Sequence, residues 1–186
     1  MLGATDPLPH HPRRVVVAGV SGTGKTTRAA HLALVLGTEH VEIDALFHGP
    51  GWVPRSSFAD DVDAFTSQPT WVTEWQYSSA RPLLVDRADL LVWLDLPFRV
   101  TLRRLVRRTV RRRFSSEPLW NGNREAPLHR FLLDRDHVVR WAIRTRHRLQ
   151  ELVPATAAER PDLVVVRLRT QREVDLWLGR LSRSLA

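Results

Sequence analysis

The chain has 186 residues, 43% of them hydrophobic, carries a formal charge of +8 and contains no cysteine. This describes one domain with a core of its own and excludes disulfides, thiolate metal sites and cysteine nucleophiles. No apolar run approaches the length of a membrane span, and the positive charge suits anionic ligands of any size, from nucleotide phosphates to nucleic acid.

Residues 1–13 contain Pro and His without a long hydrophobic core, so they read as a loose tail before a single domain at 14–186, in a cytoplasmic protein. An apolar run at 15–18 reads as a strand, and Gly19-Val20-Ser21-Gly22-Thr23-Gly24-Lys25-Thr26-Thr27 follows it. This is the G-x-x-x-x-G-K-[ST] pattern of a phosphate cradle. Its glycines let successive backbone N–H groups turn inward on a phosphate. The helix opening near Lys25 adds its positive dipole end, Lys25 reaches the β- and γ-phosphates, and the Thr26 hydroxyl sits on Mg²⁺. Ser21, Thr23 and Thr27 complete the cradle. Lys25 is the only lysine in a chain that otherwise uses arginine, and a compact ammonium suits a tight loop where a planar guanidinium would not fit.

An apolar helical face then runs to Gly37, a natural stop. Residues 40–43 read as a strand ending at Asp44, followed by a loop rich in Gly and Pro. Ser57 with Asp60 predicts a capping box and a helix through Phe65; 71–73 predict a strand ending at Glu74. After a helix around 79–87, residues 90–94 form a continuous apolar run of the kind buried on both faces of a parallel sheet, closed by Asp95. From Phe98, apolar Leu102, Leu105, Val106, Thr109 and Val110 recur at helical spacing, and eight arginines between Arg99 and Arg113 fill mostly the other positions. A polar loop at 115–127 contains Leu119-Trp120-Asn121-Gly122-Asn123. Pro127 opens what reads as the longest helix, with Phe131, Val138, Ala142, Leu149 and Leu152 inward. Residues 162–168 predict the last strand, and Thr170 with Glu173 a second capping box.

Strands alternating with helices imply an α/β fold, a parallel sheet with right-handed crossovers. In such sheets ligands gather at the carboxyl ends of the strands, where the cradle, Asp44, Glu74 and Asp95 fall.

The chain resembles, nearly end to end, the small P-loop kinases, the group of nucleoside monophosphate, shikimate and gluconate kinases, and the resemblance implies a three-layer P-loop NTPase fold with a parallel five-stranded sheet and a helical arginine-rich lid at about 104–127. Within it the closest resemblance is to bacterial DNA topology modulation proteins (FlaR-like). It rests on the cradle, Glu42-Ile43-Asp44-Ala45-Leu46, Leu94-Asp95-Leu96-Pro97 and Leu119-Trp120-Asn121-Gly122-Asn123-Arg124-Glu125. Where those relatives carry Asp-Gly-Asn-Tyr, this chain has Glu74-Trp75-Gln76-Tyr77.

Two apart in a strand, Glu42 and Asp44 would face one side and jointly address a metal-bound water and a substrate hydroxyl, as such a pair does in the shikimate-kinase group. Asp44 is then the group that positions and deprotonates an acceptor, and Glu74 is the candidate for a magnesium water beside Thr26. Asp95, beside the arginine helix in the resemblance, is assigned a structural role. Tyr77 and Arg81 are acceptor-side candidates, Arg81 for an anionic group. Arg104, Arg108 and Arg112, four apart, would line a lid that closes over the phosphates. The expected partners are ATP with Mg²⁺ and a small-molecule acceptor. The competing reading is a nucleotide-binding ATPase or regulator that binds DNA through the surplus arginines, with Arg140, Arg144 and Arg148 as a second row. Trp71, Trp93, Trp141 and Trp177 read as core; Trp52, Trp75 and Trp120 lie near the ligand side and could wall an acceptor pocket. The eight histidines show no metal-ligand spacing and are given no role.

Overall fold

Five apolar segments become the strands β1 (Arg14–Gly19), β2 (His40–Val41), β3 (Trp71–Glu74), β4 (Leu90–Leu94) and β5 (Val164–Leu168). All pair in parallel, in the order β2-β3-β1-β4-β5. The computed structural model describes residues 1–115, 119–123 and 138–185. Between and after the strands run α1 (Lys25–Leu36), α2 (Ile43–Phe47), α3 (Phe58–Thr66), α4 (Arg81–Arg87), α5 (Phe98–Ser115), α6 (Val138–Arg144), α7 (Arg148–Glu159) and α8 (Gln171–Leu185).

Period-two alternation explains why the strands are apolar throughout. Val15, Val17, Leu90, Val92, Leu94, Val166 and Leu168 face one core with Ala29 and Leu32 of α1 and Val174 and Trp177 of α8. Val16, Ala18, Leu91, Trp93 and Val165 face the other, with Val62 of α3, Leu84 of α4 and Val153 of α7. The sheet is thus the middle of three layers, as expected, and a polar residue inside it would be buried whichever way it pointed. Among the described residues no helix is long and apolar enough to cross a membrane.

Several local expectations are corrected. β2 stops at Val41, because Ile43 already begins α2; Glu42 is the extended residue before that helix and Asp44 lies in its first turn. The two carboxylates therefore do not share a strand face. Ser57 makes no cap: its hydroxyl bonds Asp61, which also pairs with Arg55. The second box forms, with the Thr170 hydroxyl accepting the Glu173 N–H at 3.1 Å while the Glu173 carboxylate accepts the Arg169 N–H at 2.7 Å. A turn at 145–147 separates α6 from α7, so the longest helix among the described residues is α5. The expected helix start at Pro127, Phe131, the end of the lid and the Trp141 side chain lie outside the described residues. The first residues are not loose: Leu2 exchanges backbone hydrogen bonds with β5 at Val165 and Arg167, and Ala4 is buried.

Parallel register carries the strand ends to one edge. Gly19 stands opposite Leu94, and Val17 opposite Glu74, so Glu74 lies at the foot of the loop that follows β1.

Candidate functional site

The loop after β1 passes through two left-handed glycines, Gly22 and Gly24, each at φ 86°. Gly24 is the N-cap of α1 and no side chain caps that end; the first turn also holds no acidic residue. The helix thus presents uncapped N–H groups and its positive dipole end at the strand edge, the arrangement that binds phosphate. Thr23, the residue between the two glycines, folds back instead, its N–H and hydroxyl both bonding the Val20 carbonyl.

The loop also meets α5. A Cβ built at Gly22 would stand 2.2 Å from the Thr101 carbonyl oxygen and 3.1 Å from the Leu105 Cβ. Thr101 and Leu105 are fully buried, so the arginine helix is seated on the cradle at its start. Gly22→Ala combines left-handed backbone with a backbone clash. The expected cost is about 2–4 kcal/mol, a fall in melting temperature of roughly 5–15 °C, measurable by thermal unfolding.

Around Lys25 the structure gathers groups far apart in sequence. Asp44 and Glu74 act on its ammonium from one side in sign, Arg108 and Arg81 from the other. Burial dominates and lowers the Lys25 pKa to about 8, the two carboxylates opposing it. Free Lys25 is then about half protonated near that pH, and a polyphosphate would draw the proton back on. Binding ATP at pH 8 should take up a fraction of a proton, no more than about one per site, and apparent affinity should fall as pH rises through 8. Calorimetry in two buffers of different ionisation enthalpy measures this.

Glu74 is buried and anchored. It accepts hydrogen bonds from His40 Nε2 at 3.1 Å and from the Ile43 N–H at 3.2 Å, and one from Thr26. Burial raises its pKa, but those donors outweigh burial and hold the carboxyl below its usual range. Thr26 and ionised Glu74 are hard oxygen donors beside the cradle, a set that fits Mg²⁺ held mainly by phosphates and water. Among the described residues no cluster of three metal-ligating side chains exists. Glu42 is half-exposed, at the residue just before α2.

Among the residues expected to face an acceptor, Asp44 Oδ1 receives the Gln76 amide at 2.7 Å and the Tyr77 hydroxyl at 2.5 Å. Arg81 lies 5.5 Å over Trp75, its Nε buried without a hydrogen-bond partner. Its pKa is lowered by burial and then by Arg148. Trp75 itself is 3% exposed, so it is core beneath Arg81 rather than pocket wall. Trp52 and Trp120 do meet near the site, each packed against His48, with ring centroids 5.0 and 5.8 Å away.

The 119–123 segment docks on the loop after α2. Asn123 accepts the Trp52 N–H at 3.0 Å and donates to the Gly49 carbonyl at 2.9 Å, while Asn121 donates to the His48 carbonyl. The sequence alone gives no specific role to His40, His48, Gln76, Asn121 or Asn123, because each acts on a partner more than 25 residues away.

Along α5, Arg108 and Arg112 are half-buried, whereas Arg104 is exposed and donates to Gln171 at 2.9 Å. Arg99, Arg103, Arg107 and Arg111 face solvent. Asp95 is held by Arg167 of β5, at 2.5 and 2.9 Å, and Arg167 also covers Trp93. These residues border a cleft of about 290 Å³ at the ends of β4 and β5, lined further by Val20, Phe98 and Arg169.

No protein-family model matches the sequence, and no curated protein matches it. Solved structures do match its fold. A gluconokinase from Sinorhizobium meliloti 1021 covers 95% of this chain and 97% of its own at 21% identity, TM-score 0.51. A shikimate kinase from Acinetobacter baumannii, in complex with shikimate, covers 93% of each chain at 19% identity, TM-score 0.53. At such identities the likeness is one of fold: the chain has the P-loop kinase fold, an α/β structure around a five-stranded all-parallel sheet.

Proposed function

We propose that this single domain is an ATP-dependent phosphotransferase that passes the γ-phosphoryl group to a small acceptor, and that among kinases of this fold it sits nearest the DNA topology modulation (FlaR-like) group. The observation that carries the reading is the convergence on Lys25: Asp44, Glu74, Arg81 and Arg108 all act on its ammonium from four separate elements. A cradle alone would serve any nucleotide-binding protein. A cradle facing an anchored carboxylate and an arginine with an open Nε supplies both halves of a transfer site.

In this reading the N–H groups of residues 19–27 and the Lys25 ammonium hold the β- and γ-phosphates, and the nucleoside lies toward the cleft beside Arg167 and Arg169. Mg²⁺, held beside Thr26 and Glu74, would neutralise developing phosphate charge. Asp44 orients the acceptor hydroxyl and takes its proton as the bond to phosphorus forms. Arg81 pairs with an anionic group on the acceptor, answering the charge its burial leaves uncompensated. Arg108 and Arg112, with Arg104 once released from Gln171, stabilise charge on the transferring group, and closure of this region excludes water.

The test is ATP consumption across AMP, UMP, D-glucose, D-gluconate and shikimate, with Lys25→Ala as the blank. Acceptor-dependent turnover absent from the blank supports the reading; ATP use that no acceptor alters overturns it.

A further inference from the structure

Tyr77 is the chain's only tyrosine, and its backbone adopts φ 56°, a left-handed conformation costly for a bulky residue. The surroundings impose it. The ring stacks on Phe47, centroids 3.9 Å apart at 19°, and meets Phe58 edge-on at 5.4 Å. So held, the hydroxyl donates to Asp44 Oδ1 at 2.5 Å and lies 3.1 Å from His48 Nε2. A phenol has one proton, and it goes to the carboxylate, so the phenol oxygen accepts from His48 Nε2–H. His48 then carries its lone pair on Nδ1, which is buried with no partner; protonation there would bury an unpaired donor, and burial accordingly lowers the His48 pKa. Asn121 fixes the same residue through its carbonyl.

We propose that Tyr77 is a positioning residue for Asp44, not an acceptor contact: with Gln76 it occupies Oδ1 and leaves Oδ2 to address the acceptor hydroxyl, while His48 keeps the phenol turned toward the carboxylate. Of the two carboxylate oxygens of Asp44, only Oδ1 receives hydrogen bonds among the described residues. An unheld carboxylate rotates about its last torsion, and misplacement of the order of an ångström is enough to slow transfer. The inference rests on the phosphotransfer reading and deepens its acceptor side.

Two measurements test it. With ¹³Cζ-labelled tyrosine the protein gives one signal. Burial and the Asp44 charge raise the Tyr77 pKa, so the signal should stay protonated at about pH 11, beyond the ordinary midpoint near 10, and Asp44→Asn should bring ionisation back down. In parallel, Tyr77→Phe keeps the ring packing. With whichever of AMP, UMP, D-glucose, D-gluconate and shikimate the wild type phosphorylates fastest, it should lower kcat by roughly 10- to 100-fold and change KM by less than about 3-fold. A signal that titrates normally, or one indifferent to Asp44→Asn, overturns the proposal. So does a Tyr77→Phe enzyme with full kcat and raised KM, the mark of a direct contact. If the wild type phosphorylates none of the five, the phosphotransfer reading fails and the proposal with it, an outcome the tyrosine signal keeps distinct. Should Tyr77→Phe not fold, His48→Leu replaces it: it removes the donor to the phenol oxygen, and a fall in kcat in the same direction is expected.

Discussion

Replacing Lys25 by alanine should cut acceptor-dependent ATP turnover by about 10³-fold or more and weaken ATP binding, leaving the fold in place. In the proposed transfer the ammonium acts on the β/γ bridge, where charge builds as the γ-phosphoryl departs, so its loss should weigh more on the transition state than on binding. The fold should survive because Lys25 is a burdened residue: burial lowers its pKa to about 8, so removing it also removes an unfavourable burial. What Lys25→Ala leaves behind is Asp44 and Glu74 without the ammonium they act on, and Glu74 keeps its three donors His40, Ile43 and Thr26. Lys25→Arg should not restore turnover, since a planar guanidinium does not replace a compact ammonium on a tight phosphate loop. Stopped and steady-state assays of ATP consumption, with nucleotide affinity by calorimetry, measure each part. Unchanged affinity and turnover in Lys25→Ala would refute the assignment of the cradle.

The division between what the sequence tells and what it hides follows from range. The cradle, the doubly buried strands and the Thr170–Glu173 cap are local patterns, and each is written in neighbouring residues. The strand expected at 40–43 fails because two residues of β2 are enough to pair with β3, and the chain then enters α2 at once. The Ser57 cap fails by one position, Asp61 offering the hydroxyl a better partner than the backbone. Trp75 reads as pocket wall from its place after a strand end, but it joins a buried cluster that includes Leu149 and Val153 of α7 and Val165 of β5, far along the chain. The histidines show the same limit: His40 matters through Glu74 and His48 through Tyr77, 34 and 29 residues away. No spacing rule reaches that far, whereas the phosphate loop announces itself within nine residues.

Asp44→Asn should abolish most acceptor phosphorylation, by about 10²- to 10⁴-fold, while ATP affinity changes by only a few-fold. The substitution is isosteric, and an asparagine oxygen can still accept the Tyr77 and Gln76 hydrogen bonds that hold position 44. What disappears is the negative charge and the capacity to take the acceptor's proton. A second, acceptor-independent consequence follows from the same charge. Asp44 raises the Lys25 pKa against burial, so in Asp44→Asn the ammonium should deprotonate below about 8, and the pH at which ATP binding takes up a proton should move down with it. Calorimetry in paired buffers reads that midpoint without any acceptor, and the acceptor panel reads transfer. Loss of both ties Asp44 to the cradle and to the acceptor at once, which is the position a residue must hold between donor and acceptor. Loss of transfer with an unmoved midpoint would separate Asp44 from Lys25 and confine it to acceptor binding, and retention of both would remove it from the site.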